Sequence, residues 1–164
     1  MILIEPTIQA KFGRALRQRA LAAFLKNASQ AARLRGDVAV LLTNDRRMRR
    51  LNHQFRHKDY PTDVLSFPAP ASRNGHRAMA GDLAISVETA ARQAAELDHP
   101  LATELQILVL HGLLHLAGYD HETDSGQMAR REAALRRRLG LATGLIERTK
   151  TAPSRNASRL RSRP

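Results

Sequence analysis

Apolar residues recur along the chain with two different periods, and the switches between them mark out the elements. Ile2 to Ile4 is a short β-type run stopped by Pro6. From about residue 8 to 28, Ile8, Phe12, Leu16, Ala20 and Phe24 fall at four-residue spacing, the stripe of one amphipathic helix. Residues 37–43, Asp-Val-Ala-Val-Leu-Leu-Thr, read as a strand, and Asn44 suits the N-cap of a helix from Asp45 to about Gln54. Met48, Leu51 and Phe55 are that helix's expected inner face. Asp63 to Phe67 is a further strand, and residues 68–80, with four Ala, two Pro, Asn74 and Gly75, read as a loop.

Residues 81–86, Gly-Asp-Leu-Ala-Ile-Ser, alternate as a strand with one buried face. Ser86 can cap the helix that follows to about Leu97, and Glu88 stands four residues before Arg92 as a helical ion pair. Pro100 opens the next helix, whose second half, Leu105 to Ala117, is apolar almost all round. That stretch is too short and too polar to span a bilayer, so it predicts a buried central helix. A last helix runs from about Ser125 to Leu139, with Met128, Leu135 and Leu139 inward, and Gly140 ends it. The expected fold is a single α+β domain: a small, mostly parallel four-stranded sheet packed by about five helices, one of them central.

Composition adds constraints. A chain of 164 residues suits one domain, and with no Trp and few aromatics its core rests on Leu, Ala, Ile and Val. There is no cysteine, which leaves His, Asp and Glu as possible metal ligands. The first residues have no charged region, no long apolar run and no cleavage site, which predicts a cytoplasmic protein with no membrane association. Lys and Arg number 27 against 15 Asp and Glu, a net charge of +12 made largely of arginine. Clustered arginine points to nucleic acid, because guanidinium groups hold phosphates in two-point contacts and release counterions. Residues 151–164 carry four arginines and no acid, so 146–164 reads as a basic, disordered tail behind a domain over 1–145.

The candidate chemistry lies in the apolar helix. His111 and His115 are four apart and project from one helical face. Two buried imidazoles cost free energy unless partnered, about 1–3 kcal/mol each, and one metal ion would satisfy both. Gly118 can end the helix in a left-handed turn and bring His121 back as a third ligand. Three imidazoles leave one position of a tetrahedral ion open, the arrangement of a catalytic zinc, and hydrolysis is the natural reaction class. The spacing also matches the long zinc-peptidase motif, except that Gly112 stands where that motif has its glutamate base. Asp120 or Glu122 could substitute as base, or orient a histidine.

With these residues in place, the chain resembles the YbeY family of bacterial endoribonucleases. The resemblance rests on His-Gly-Leu-Leu-His-Leu-Ala-Gly-Tyr-Asp-His at 111–121, on Arg-His-Lys-Asp-Tyr-Pro-Thr-Asp-Val-Leu-Ser-Phe at 56–67, and on 81–86, in the family's order. It implies one zinc ion on His111, His115 and His121, and Arg56 as the residue needed for RNA cleavage. It further implies a single-strand-specific, zinc-dependent endoribonuclease of late ribosomal RNA processing, acting in small-subunit 3′-end maturation and ribosome quality control. Ribosomal RNA and the ribosome or its proteins would be the partners. Two other readings remain: a zinc peptidase, and a non-catalytic ribosome assembly factor with a structural metal.

Overall fold

The computed structural model describes residues 1–70 and 79–141. The basic tail at 146–164 and most of the loop expected at 68–80 lie outside the described residues. The elements run β1 (Ile2–Ile4), α1 (Pro6–Phe12), a 3-10 turn (Gly13–Leu16), α2 (Gln18–Ala31), β2 (Asp37–Thr43) and α3 (Asp45–Arg56). They continue with β3 (Val64–Pro68), β4 (Met79–Ser86), α4 (Val87–Glu96), α5 (Leu101–Leu116) and α6 (Gln127–Leu139). Strand order is β1-β2-β4-β3. β1, β2 and β4 are parallel, and β3 pairs antiparallel with β4 as the edge.

The expected sheet and central helix are present, but six α-helices form among the described residues rather than five. The stripe read as one helix over 8–28 is broken. Gly13 closes α1 at φ 38°, and Arg17 restarts the helix from a left-handed φ of 44°. The interruption shifts the helical phase by one residue, so Leu21, Phe24, Leu25 and Ala28 are buried while Ala20 is exposed. Met79 and Ala80, expected in a loop, belong to β4, where Gly81 (φ 150°) follows a bulge in the pairing with β2. A Cβ at Gly81 would lie 2.4 Å from the Phe67 carbonyl oxygen, so only glycine fits this approach of β4 to β3.

Alternation along the strands divides the apolar residues between the sheet's two faces. Leu83 and Ile85 join the main core under α2, α4 and α5, while Ala84 and its neighbour Leu65 pack with Met48 of α3 on the other face. The inner face of α3 is Met48 and Asn52, with Leu51 half-buried; Phe55 is 55% exposed and meets Phe67 edge-on instead of entering the core. Helix α5 packs on the other side of the sheet, and its residues 107–114 are all buried. Its close approach depends on Gly112, where a Cβ would stand 2.7 Å from the fully buried Leu83 side chain.

The caps expected from sequence are made. Asn44 accepts from the Arg47 N–H at 2.9 Å, and the Ser86 hydroxyl from the Thr89 N–H at 3.2 Å. The pairing around α4 differs from the expected Glu88–Arg92 bridge. Arg92 bonds Asp45 at 2.8 Å, and Glu88 bonds Lys11 at 3.0 Å while accepting the Asp45 N–H at 3.0 Å. Asp45 also receives the hydroxyls of Ser86 and Thr89, so it ties the start of α3 to the start of α4.

Burial acts to raise the Asp45 pKa, but the hydrogen bonds from Ser86, Thr89 and Arg92 outweigh it and hold the group below the ordinary carboxylate value. Such a group stabilises the fold fully above its unfolded value, and the contribution is lost as pH falls through the folded one. Asp45→Ala therefore lowers unfolding free energy at neutral pH by about 1–3 kcal/mol in urea titrations. The gap to the unsubstituted protein narrows below about pH 4, and a gap that stays constant into acid would refute this assignment.

Candidate metal centre and nucleic-acid cleft

The functional cleft forms where three chain segments meet at the end of α5. It is a cavity of about 620 Å³, bounded by the α3–β3 loop, by β3 and by the turn after α5. His111, His115 and His121 all line it, and so does Arg56. The sequence-predicted site residues are thus brought together, although Arg56 and the histidines are separated by more than fifty positions in the chain.

Helix α5 positions the first two imidazoles. His111 is buried and His115 half-buried, and their Nε2 atoms lie 3.2 Å apart. The ends of the helix and the turn beyond it are set by local hydrogen bonding. The Gly118 N–H reaches the His115 carbonyl at 3.0 Å, and the Tyr119 N–H reaches that of Leu114 at 3.1 Å, the paired bonds of a Schellman ending. Gly118 adopts φ 93°, which a side chain would resist. Asp120 then shapes the turn, accepting the Glu122 N–H at 3.0 Å and the Thr123 hydroxyl at 3.1 Å. His121 is thereby delivered to the cleft, its ring centroid 5.2 Å from that of His111 and 5.3 Å from that of His115.

The ligand nitrogens of the three histidines lie within 4.8 Å of one another, so the group could hold a metal ion. A tetrahedral zinc with bonds of about 2.0–2.1 Å places neighbouring nitrogens roughly 3.3 Å apart, close to the separation of the His111–His115 pair. Glu132 of α6, itself buried, stands 3.2 Å from His111 Nδ1, a contact able to orient the ring with Nε2 towards the cleft. Burial holds the His115 pKa down to about 4, helped by the neighbouring His111 and His121, against weaker opposing effects of Asp120 and a backbone hydrogen bond at Tyr119. His115 is therefore neutral at physiological pH, the form a metal binds.

Glu132 was not singled out by the sequence reading, although the signal was there. It sits four residues after Met128 and three before Leu135, an acid on the buried stripe of α6. Asp120 and Glu122 had been the candidates for a base or an orienting group. The Asp120 carboxylate is engaged in the turn, and the Glu122 N–H bond, ahead of any effect of the histidines, holds its pKa below the ordinary value. The orienting partner of His111 is Glu132.

The opposite wall comes from the end of α3. Arg56 is the last residue of that helix and is exposed, and His57 closes the helix at φ 57°. The loop behind it is fastened twice. Buried Asn52, also missed in the sequence, donates to the Tyr60 carbonyl at 2.8 Å, and Arg49 bonds both oxygens of Asp59 at 2.8 and 2.9 Å. Arg47 likewise pairs with Glu5. Arg56 and Lys58 have no carboxylate partner among the described residues, so two cations face the cleft available for an anion.

A family model described as Endoribonuclease YbeY matches residues 5–140. Endoribonuclease YbeY of Koribacter versatilis is 49% identical over 146 residues, covering 89% of this chain and 92% of that protein. Its counterpart of the same name in Solibacter usitatus is 50% identical over 127 residues, covering 74% and 82%. The solution structure of TM1509 from Thermotoga maritima superimposes with a TM-score of 0.53 at 26% identity, covering 99% of this chain and 100% of that one. With a family match that takes in the histidine helix, the Arg56 loop and strands β2, β3 and β4, this chain belongs to the Endoribonuclease YbeY family.

Proposed function

We propose that this protein is a zinc-dependent endoribonuclease that cuts single-stranded RNA in late ribosomal RNA processing, at small-subunit 3′-end maturation, and in ribosome quality control. The observation that carries the chemistry is the meeting in one cleft of three histidines and an arginine with no carboxylate partner among the described residues. His111, His115 and His121 would hold the ion. A bound divalent metal supplies Lewis acidity and a lowered pKa for coordinated water. The protein's own groups do the rest. The planar Arg56 guanidinium can grip a phosphate with two parallel hydrogen bonds and oppose the charge that grows on it as the phosphodiester breaks. Lys58 adds a second cation on the same wall. Glu132 orients the His111 ring with Nε2 towards the cleft. The net charge of +12 supports the general affinity for RNA that a ribosomal partner requires. The family membership and the names of the relatives support ribonuclease chemistry.

A peptidase reading is opposed by a specific contact. The position where the peptidase motif places its glutamate is Gly112, and a side chain there runs into Leu83 of the sheet rather than into the cleft. The Gly112 carbonyl is itself bonded by the Ser66 hydroxyl at 3.3 Å. A non-catalytic assembly factor with a structural metal would show no cleavage at all.

Cleavage of a structured ribosomal RNA fragment by the protein and by Arg56→Ala, purified identically and matched for zinc content and folding, tests the reading. The expected outcome is a loss of about 100- to 1,000-fold in Arg56→Ala, the size seen when one charge-stabilising donor is removed. Equal cleavage by both would remove Arg56 from the chemistry, and no cleavage by either would favour the assembly factor. Separately, Glu132→Gln should weaken zinc affinity by about 10- to 100-fold in competition with a chromogenic chelator, with the fold intact by circular dichroism. Unchanged affinity would show that Glu132 does not orient His111.

A further inference from the structure

The chain contains two tyrosines and no tryptophan, and both tyrosines, Tyr60 and Tyr119, line the histidine cleft. They come from different walls. Tyr119 follows Gly118 in the turn after α5, is half-buried and packs against the main core. Tyr60 lies in the α3–β3 loop and is 52% exposed. A large aromatic ring left in water at a cleft mouth gains nothing from burial, and here its exposure does not come from a loosely held loop. The Tyr60 carbonyl is bonded by buried Asn52, and the adjacent Asp59 is held by both arms of Arg49. The backbone is fixed and the ring is presented. On the same wall stand Arg56 and Lys58, four and two residues away in the chain, both exposed.

An exposed aromatic ring that shares a cleft with two cations fits one ligand chemistry closely: an unpaired nucleotide. Every base has a face that stacks on an aromatic ring, and stacking needs the base out of a duplex. Phosphates on either side of that base would meet the cations. A tyrosine has only two side-chain torsions to fix, so holding a base costs it little entropy. We propose that Tyr60 is the stacking platform for an unpaired base of the RNA next to the scissile phosphate, with Arg56 and Lys58 holding the flanking phosphates. This deepens the ribonuclease reading above and rests on it. It assigns the discrimination between single-stranded and duplex RNA to a single ring in the α3–β3 loop rather than to the histidine centre.

The composition provides a direct readout. With no tryptophan, the intrinsic emission of the protein comes from Tyr60 and Tyr119, and Tyr60→Phe leaves Tyr119 as the sole emitter. The probe is a short single-stranded 2′-O-methyl phosphorothioate oligonucleotide, which resists cleavage, compared with a duplex of the same sequence. The measurements are tyrosine quenching and affinity by fluorescence anisotropy of the labelled probe, on zinc-loaded protein.

The single strand is expected to quench the unsubstituted protein more than the duplex does, and Tyr60→Phe to lose most of that quenching while keeping its affinity. Tyr60→Leu, of similar bulk but without a π-face, should bind the single strand about 5- to 100-fold more weakly and the duplex unchanged. Thermal melting of each variant establishes that it is folded, which the exposure of Tyr60 favours. Single-strand affinity that is equal in Tyr60→Leu and the unsubstituted protein, but lost in Arg56→Ala, overturns the stacking role and leaves the ribonuclease reading standing. Failure of the unsubstituted protein to bind either probe overturns both.

Discussion

The contact between α5 and the sheet at Gly112 is the constraint on which the site depends. A helix that is apolar on every side must be covered on every side, and α5 is covered by the sheet, α2, α4 and α6. It can lie that close to β4 because position 112 has no side chain to push against Leu83. The proximity lets Ser66 of β3 bond the Gly112 carbonyl, so the edge strand is attached to the helix at the residue directly after His111. The imidazoles therefore leave the helix at the rim of the sheet, where β3 and the α3–β3 loop form the facing wall. A larger residue at 112 would have to push Leu83 or the helix aside at that contact.

Around that contact the polar groups divide into two kinds. Asp45, Glu88, Asp63 and Asn52 are occupied in joining elements to one another: Asp63 accepts from Gln93 of α4 at 3.0 Å and from the Val64 N–H at 2.7 Å, while Asn52 fastens the loop that carries Tyr60. Among the described residues the side chains of Lys58 and Arg56 make no such joins, and the charge they bring to the cleft is available to a ligand. The surface arginines of α3 are partly engaged as well, since Arg47 and Arg49 each have a carboxylate. Net charge alone therefore overstates what the helix offers a phosphate, and the cleft is better described by the cations that lack partners.

Most of the framework could be read from the amino-acid order because the signals were local. Period-two runs marked the strands, Asn44 and Ser86 marked two helix starts, and the spacing of His111, His115, Gly118 and His121 pointed to the histidine cluster. What escaped was set by geometry between elements. The break over 13–17 begins at Gly13 but ends at Arg17, a left-handed residue that is not glycine, and the four-residue spacing through Ala20 runs straight across it. Phe55 seemed a core residue by periodicity, but β3 ends the sheet there and Phe67 is the neighbour it meets. The pairing of Arg92 with Asp45 rather than Glu88 requires two helices to start side by side, which no window of sequence contains. Glu132 was visible as a buried acid, while its partner His111 is 21 residues away on a different helix.

The three imidazoles differ in how firmly they are held, and this has consequences for exchange. Two sit on a helix locked into the core, whereas His121 is exposed on a turn shaped by Asp120. An ion coordinated by all three would be released in steps, the outer arm unhooking first and the inner pair letting go last. Residence time would then be governed by the stiffness of a seven-residue span from His115 to His121, and a competing chelator would enter from the solvent side of that span. Substitutions in the turn that leave every ligand in place would change how fast metal is lost far more than how tightly the inner pair prefers it.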